Sequence, residues 1–235
     1  MANLTSAILD PLLAANPAGP RITYYDDDTG ERIELSTVTL ANWAAKTGNL
    51  LRDELGAAPG SRVAVLLPAH WQTAAVLFGI WWIGAEAVFD GSDADIALCT
   101  LDRLDDADAA VGGGEVAVLS LDPFGKPVPD LPVGLTDYAT AVRVHGDQIV
   151  PERTAGPALD GRSVEDVLTA ARAAAQAEGL TATDRVLSTA AWQTGEDVVR
   201  ELLARYVVGA SLVQVANPDA AALERRRTTE KVTRG

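Results

Sequence analysis

Apolar positions along the chain switch between two spacings, and each switch marks an element. Residues 21–37, "RITYYDDDTGERIELST", hold two short β-type runs around Asp27-Asp28-Thr29-Gly30, which predicts a β-hairpin. From Thr39 to Leu55, the residues Leu40, Trp43, Ala44, Thr47, Leu51 and Leu55 recur at helical spacing and give one buried stripe, stopped by Gly56 and Pro59-Gly60. "RVAVLLP" (62–68) then reads as a strand, Ala69 to Ile83 as a helix and "AEAVF" (85–89) as a second strand, a βαβ unit. The order repeats in "DIALCT" (95–100), an acidic helix through "LDRLDDADAA" (101–110), the turn Gly112-Gly113-Gly114 and "EVAVLS" (115–120). Strands that are apolar on both faces belong to parallel sheets covered on both sides, with right-handed crossovers.

Ser163 and Asp166 form a capping pair ahead of Val164, Val167, Leu168, Ala171, Ala174 and Ala175, which predicts a helix start. "DRVLST" (184–189) is a strand, Gly195 to Val208 an amphipathic helix and "SLVQVA" (211–216) a strand. Pro218 opens a last helix that runs into "LERRRTTEK". The Pro- and Gly-rich stretch 121–134 is the clearest break in regular structure. The fold expected is α/β, with layered, mostly parallel sheets flanked by helices and a small N-terminal β-hairpin. It is read as a single domain over 1–235, with possible halves 1–120 and 160–235 joined by an irregular segment 121–159.

Composition narrows the function. With 235 residues and 48% hydrophobic content the chain can bury a sizeable core. Its 33 acidic residues against 19 Lys and Arg leave a formal charge of −14, which repels nucleic acid and anionic membranes over most of the surface. The most apolar run, Ala74 to Ala85, falls well short of the roughly 20 residues that cross a bilayer, so no membrane insertion is expected. The lone Cys99 cannot form an internal disulfide, and the start "MANLTSAILDPLLAANPAG" lacks the basic opening and continuous apolar core of a secretory signal. A cytoplasmic location is expected.

Most chemistry-bearing residues have a structural reading. Gly112 to Gly114 follow a helix and precede a strand, the reverse of a phosphate loop. "GKP" (125–127) stands among prolines with no helix behind it. Asp90, Asp93 and Asp95 lack the spacing of a calcium loop and read as an acidic turn, with no metal expected. His70 and His145 are the two histidines, and no nucleophile motif accompanies either. Trp71, Trp81 and Trp82 read as core aromatics, Cys99 as a small buried thiol and "LERRR" as a solvated helix end.

An ordered set of stretches carries a resemblance. "ITYYDD", a helix, "GSRVA" (60–64) and "IGAEAV" (83–88), followed by "GLTATDRVLST" and "LLARYVVGASLVQV", resemble the opening of adenylate-forming enzymes, the acyl-CoA synthetase and luciferase superfamily. The middle stretch 119–152 also resembles a group of short actinobacterial proteins related to acyl-CoA synthetases, a kinship that implies no particular reaction. In the superfamily a loop of pattern T-S-G-T-T-G-x-P-K-G precedes the helix that begins here near Ser163. Its backbone N–H groups, hydroxyls and lysine hold the ATP phosphates. This chain has "TAGPALDG" (154–161) there, and the resemblance implies Thr154, Gly156, Gly161 and Ser163 as candidate nucleotide-binding residues. The Thr-Thr pair and lysine are absent, and Pro157 and Asp160 replace donors with a non-donor and a carboxylate. The family's adenine-binding strand, magnesium glutamate, ribose aspartate and catalytic lysine of the C-terminal subdomain have no counterparts before "EKVTRG". The resemblance therefore implies a truncated, acyl-CoA synthetase-like protein acting in binding or assembly rather than catalysis, with no cofactor. The alternative is a nucleotide-, acyl- or CoA-binding enzyme with a reduced site at the C-terminal ends of the strands, taking ATP, AMP or CoA. Self-association as a homodimer, or a protein partner, is expected to cover a sheet edge or face otherwise bare.

Overall fold

The strands assemble into two sheets rather than one. A computed structural model describes residues 3–91 and 93–235; Met1, Ala2 and Ser92, the last inside the acidic turn Asp90 to Asp95, lie outside the described residues. The chain runs α1 (Leu4–Ala15), β1 (Pro20–Asp26), β2 (Glu31–Ser36), α2 (Thr37–Asp53), β3 (Arg62–Leu66), α3 (Trp71–Trp82), β4 (Glu86–Val88), β5 (Ile96–Cys99), α4 (Leu104–Val111), β6 (Glu115–Val118), β7 (Thr136–Asp137) and α5 (Tyr138–Ala141). It continues through α6 (Val164–Ala177), β8 (Arg185–Ser188), α7 (Gly195–Val198), a π-helical turn (Val199–Leu203), α8 (Ala204–Val207), β9 (Ser211–Ala216) and α9 (Ala220–Thr229). One sheet has the order β2-β1-β9-β8 and the other β4-β3-β5-β6-β7. The second is parallel throughout, and in the first only the β1–β2 hairpin is antiparallel.

Alternation along β3 and β5 explains why these runs are continuously apolar. Val63, Val65, Ile96 and Leu98 join the central core with α1, α2 and α3, while Ala64, Leu66, Ala97 and Cys99 face α4 through Ala107. In the other sheet Ile22, Tyr24 and Leu212 belong to the same central core, and Leu187, Val213 and Val215 pack under Leu223 of α9 and Val232. α3 lies between the sheets with every residue buried, which accounts for its uniform hydrophobicity. Trp81 hydrogen-bonds the Ala158 carbonyl at 2.8 Å, and Trp71 the Glu31 carboxylate at 3.3 Å, so both indoles are partnered core residues. Burial pushes the Cys99 thiol up to about 11, which keeps it protonated and unreactive near neutral pH.

Three features depart from the sequence reading. The N-terminal stretch forms α1, capped by Asn3, with Leu4, Ile8, Leu9 and Leu12 buried and Thr5 donating to the Phe78 carbonyl at 2.6 Å. Within 121–159, β7 and α5 form short regular elements, held by the Asp137 side chain capping Thr140 N–H. The helix expected over 195–208 contains the π turn. Among the described residues no helix is long and apolar enough to cross a membrane.

Candidate functional site

The segment with the resemblance to a phosphate loop runs alongside β4 as an edge. Glu152 N–H donates to the Trp82 carbonyl, Ala87 N–H to the Ala158 carbonyl and Asp160 N–H to the Ala87 carbonyl, with Leu159 bridging Ala87 in parallel. The close approach of Arg153 to Gly84 and of Ala155 to Gly60 places Thr154 beside the turns that precede β4 and β3. Gly156 is exposed with open space around its Cα, whereas Gly161 and Ser163 lie past the pairing with Ala87. The structure therefore spreads the four residues along an irregular segment that touches β4 by a single bridge at Leu159, with Ser163 at the N-cap of α6.

The N–H groups from Ala158 to Arg162 all have partners within the protein. Ala158 and Leu159 donate to the Arg162 carbonyl, Asp160 to Ala87, and Arg162 to the Leu159 carbonyl. Gly161 N–H donates to Glu86 Oε1 at 2.6 Å, and that carboxylate, itself buried, also faces Arg62 Nε at 3.5 Å. Asp160, in the left-handed region at φ 43°, accepts from Phe89 N–H on Oδ1 at 2.8 Å and from Gly195 N–H on Oδ2 at 3.1 Å. Burial raises its pKa, opposed by those two donors. One carboxylate thus ties the end of β4 to the start of α7.

The other helix starts nearby are capped in the same way. Ser163 Oγ accepts from Asp166 N–H at 3.2 Å and donates to the Asp166 carboxylate at 2.6 Å, so it is the N-cap of α6. Thr194 and Asp197 form a reciprocal capping box on α7. At α3 the cap is His70, whose Nδ1 accepts from Gln72 N–H at 3.1 Å. Histidine at this position was read from sequence without a role, because capping is usually a task for Ser, Thr, Asp and Asn. His145 is elsewhere, paired with Glu54 at 3.1 Å.

Two clefts open at the C-terminal ends of the strands, the end where open α/β sheets place ligands. The first, about 540 Å³, lies over β3, β5 and β8 and is walled by Leu67, Phe89, Thr100, Arg103 and Trp192. Trp192 is 1% exposed, and its Nε1–H has no partner among the described residues. Arg103 is held by Asp106 at 2.6 Å. The second, about 880 Å³, lies over β1 and β9 between the hairpin and residues 120–124, and shares Pro68 and Ala69 with the first. Its lining residues come from loops far apart in sequence, so no local motif announced either cleft. Asp95 accepts from Arg62 N–H at 2.8 Å, which makes it a turn residue, and no cluster of three His, Cys, Asp or Glu with metal-holding geometry occurs among the described residues.

Comparisons with known proteins agree on the fold. The chain superposes on the crystal structure of Brucella canis acyl-CoA synthetase with a TM-score of 0.79 at 19% identity, over 98% of this chain and 46% of that one. It matches the anthranilate CoA ligase AuaEII in complex with anthranoyl-AMP at TM-score 0.74 and 17% identity, over 97% of this chain and 48% of that one. Apo MatB from Rhodopseudomonas palustris gives TM-score 0.76 at 15% identity, covering 97% and 48%. The chain thus spans about half the length of the solved structures it matches. No family model matches it. A TIGR03089 family protein of Mycobacterium tuberculosis (strain ATCC 25618 / H37Rv) is 72% identical over 235 residues, 98% of this chain and 97% of that protein. With that identity across nearly the whole of both chains, and an architecture shared with acyl-CoA synthetases, the protein belongs to the TIGR03089 family.

Proposed function

We propose that the protein is a non-catalytic binding protein on an acyl-CoA synthetase-like fold, with no phosphoryl chemistry at residues 154–163. The observation that carries this reading is the closure of the loop on itself: every N–H from Ala158 to Arg162 is satisfied internally, and the Asp160 carboxylate stands at the α7 N-terminus. A triphosphate brought there would lose the donors that make such a loop bind and would meet a fixed negative charge. Gly161 and Ser163 then serve the tie to Glu86 and the α6 cap, and ATP, AMP and CoA are not ligands of this segment. The cleft of about 540 Å³ beside Trp192 is the place left for a small molecule.

The expected result in a pyrophosphate–ATP exchange assay, run on pure protein with magnesium and a panel of aliphatic and aromatic carboxylic acids, is no exchange above the protein-free blank. Acid-dependent exchange that scales with protein concentration would overturn the reading.

A further inference from the structure

The strands β2, β8, β4 and β7 end the two sheets, and the chain itself deals with three of these edges. Along β4 the pairing with Ala158 and Asp160 covers the outer side. Along β8 the residues after α9 do the same: Val186 bridges Arg234 in parallel, Leu187 N–H donates to the Arg234 carbonyl at 2.9 Å and Thr233 N–H to the Arg185 carbonyl at 2.9 Å. β7 has two residues, too few to offer a ladder. β2 differs from all three. It is six residues long and packs on β1 and α2, and among the described residues no main-chain partner bonds residues 32–36 on the side away from β1. An edge of that length, with unpaired N–H and C=O groups, is a template for another strand.

The side chains of β2 select which strand fits. Ile33 and Leu35 pack on the central core, so Arg32 and Glu34 stand on the opposite face, where both are exposed. Arg32 is held there by Glu230 at 2.9 Å and by Tyr25 Oη, Glu34 by Arg185 at 3.1 Å, and the two lie 3.3 Å from each other. Two copies of this run, set antiparallel about a two-fold axis at Ile33, place each Arg32 opposite the partner's Glu34, an opposite-charge cross-strand pair made twice. Moving the pairing by two places either way sets Arg32 against Arg32 or Glu34 against Glu34, so charge selects the register centred on Ile33. Beside the edge, Val38 at the start of α2 is 42% exposed, and Phe124, 82% exposed, lines the cleft that Arg32 and Ile33 border, which leaves apolar surface for the contact to cover. We infer that β2 is an isologous interface that joins two copies of this chain through an antiparallel β2 pair centred on Ile33, so that their sheets run on as one. The formal charge of −14 on each copy opposes approach at low salt, whereas at about 0.15 M the screening length is about 8 Å and the pairs at the edge decide. The interface does not rest on the function proposed for residues 154–163.

Sedimentation velocity of the full chain, from low micromolar to a few hundred micromolar at about 0.15 M salt, reads the oligomeric state, and a concentration-dependent dimer is expected. Hydrogen exchange of the wild type locates the contact: peptides covering residues 31–36 exchange more slowly as the dimer forms, while those covering β8 do not. Glu34→Lys sets a lysine opposite the partner's Arg32 and raises the dimer dissociation constant about fivefold or more. The natural Cys99 is buried, so in Ile33→Cys the introduced thiol is the reactive one, and copper phenanthroline oxidises the two facing thiols of a dimer to a disulfide. Asp28→Cys, at the tip of the hairpin, stays uncrosslinked under the same treatment. The exchange measurement needs no substitution, so a variant that fails to fold leaves the test standing. Monomer at every concentration, a dimer with unchanged exchange over residues 31–36, a folded Glu34→Lys that dimerises as tightly as wild type, or a folded Ile33→Cys dimer that does not cross-link would each overturn the inference.

Discussion

Replacing Glu230 by alanine destabilises the protein by about 3–5 kcal/mol, the cost of removing one partner from a buried ion pair. The Glu230 side chain is 5% exposed and gathers three donors: Tyr25 Oη–H at 2.5 Å, Arg32 Nη2 at 2.9 Å and Arg185 Nη2 at 2.5 Å. These come from β1, β2 and β8, so the residue following α9 fastens three strands of one sheet. Arg185 already has Nε and Nη1 buried without partners, and losing Glu230 leaves its charge to Glu34 at 3.1 Å and the Thr23 hydroxyl. In a chain of this length each kcal/mol moves the melting temperature by roughly 2–4 °C, so a fall of roughly 6–20 °C is expected by thermal denaturation. Burial raises the Glu230 pKa, but the bonds from Tyr25, Arg185 and Arg32 outweigh it and the net shift is downward. A lowered folded pKa means stability that is present above the unfolded glutamate value, about 4.3, and lost as pH falls through the folded value. The gap between wild type and Glu230→Ala therefore narrows below about pH 4. A difference under about 1 kcal/mol at pH 7 would show that the three donors find water as good a partner.

Asp160→Ala is expected to cost about 2–4 kcal/mol, because two backbone N–H groups lose a charged acceptor and alanine is placed at φ 43°. Asp160→Gly removes the same acceptor but suits the left-handed backbone, and is expected to recover about 1 kcal/mol of that loss. Asp160→Asn keeps an oxygen on one N–H and tolerates the same φ, so it is the mildest of the three. Urea denaturation read by tryptophan fluorescence measures the series. If glycine matches wild type, backbone conformation is all that Asp160 supplies. If alanine matches wild type, the tie between β4 and α7 contributes nothing.

The legible part of this fold was its local periodicity. Leu40 to Leu55, the two-faced runs at 62–68 and 95–100, and the Ser163–Asp166 cap each carry their signal within one element, and each forms. α1 was missed although Leu4, Ile8, Leu9 and Leu12 have helical spacing behind Asn3, because Pro11 within the stretch speaks against a helix interior. Asp160 was read as a charge facing a phosphate. Its actual partners stand 71 and 35 residues away, a pairing that follows from the parallel edge with β4 and not from any neighbour in sequence. The clefts were invisible for the same reason, the first being assembled from the β3–α3, β5–α4 and β8–α7 connections and the second from the β1–β2 hairpin, the β3–α3 connection, residues 120–124 and the end of β9. His70 illustrates both sides: its place before an apolar helix was plain, while the tautomer imposed by capping and the facing Glu31 needed the tertiary structure.

The proposed function rests on the protein's own groups filling the N–H donors from Ala158 to Arg162, with the Asp160 carboxylate on the first N–H of α7. Isothermal titration of the purified protein with ATP and magnesium, then AMP, then CoA, tests it most directly. No heat beyond dilution and no thermal stabilisation by any of the three is the predicted outcome. Saturable binding in the micromolar range, abolished by Thr154→Ala, would contradict it and restore the segment as a nucleotide site.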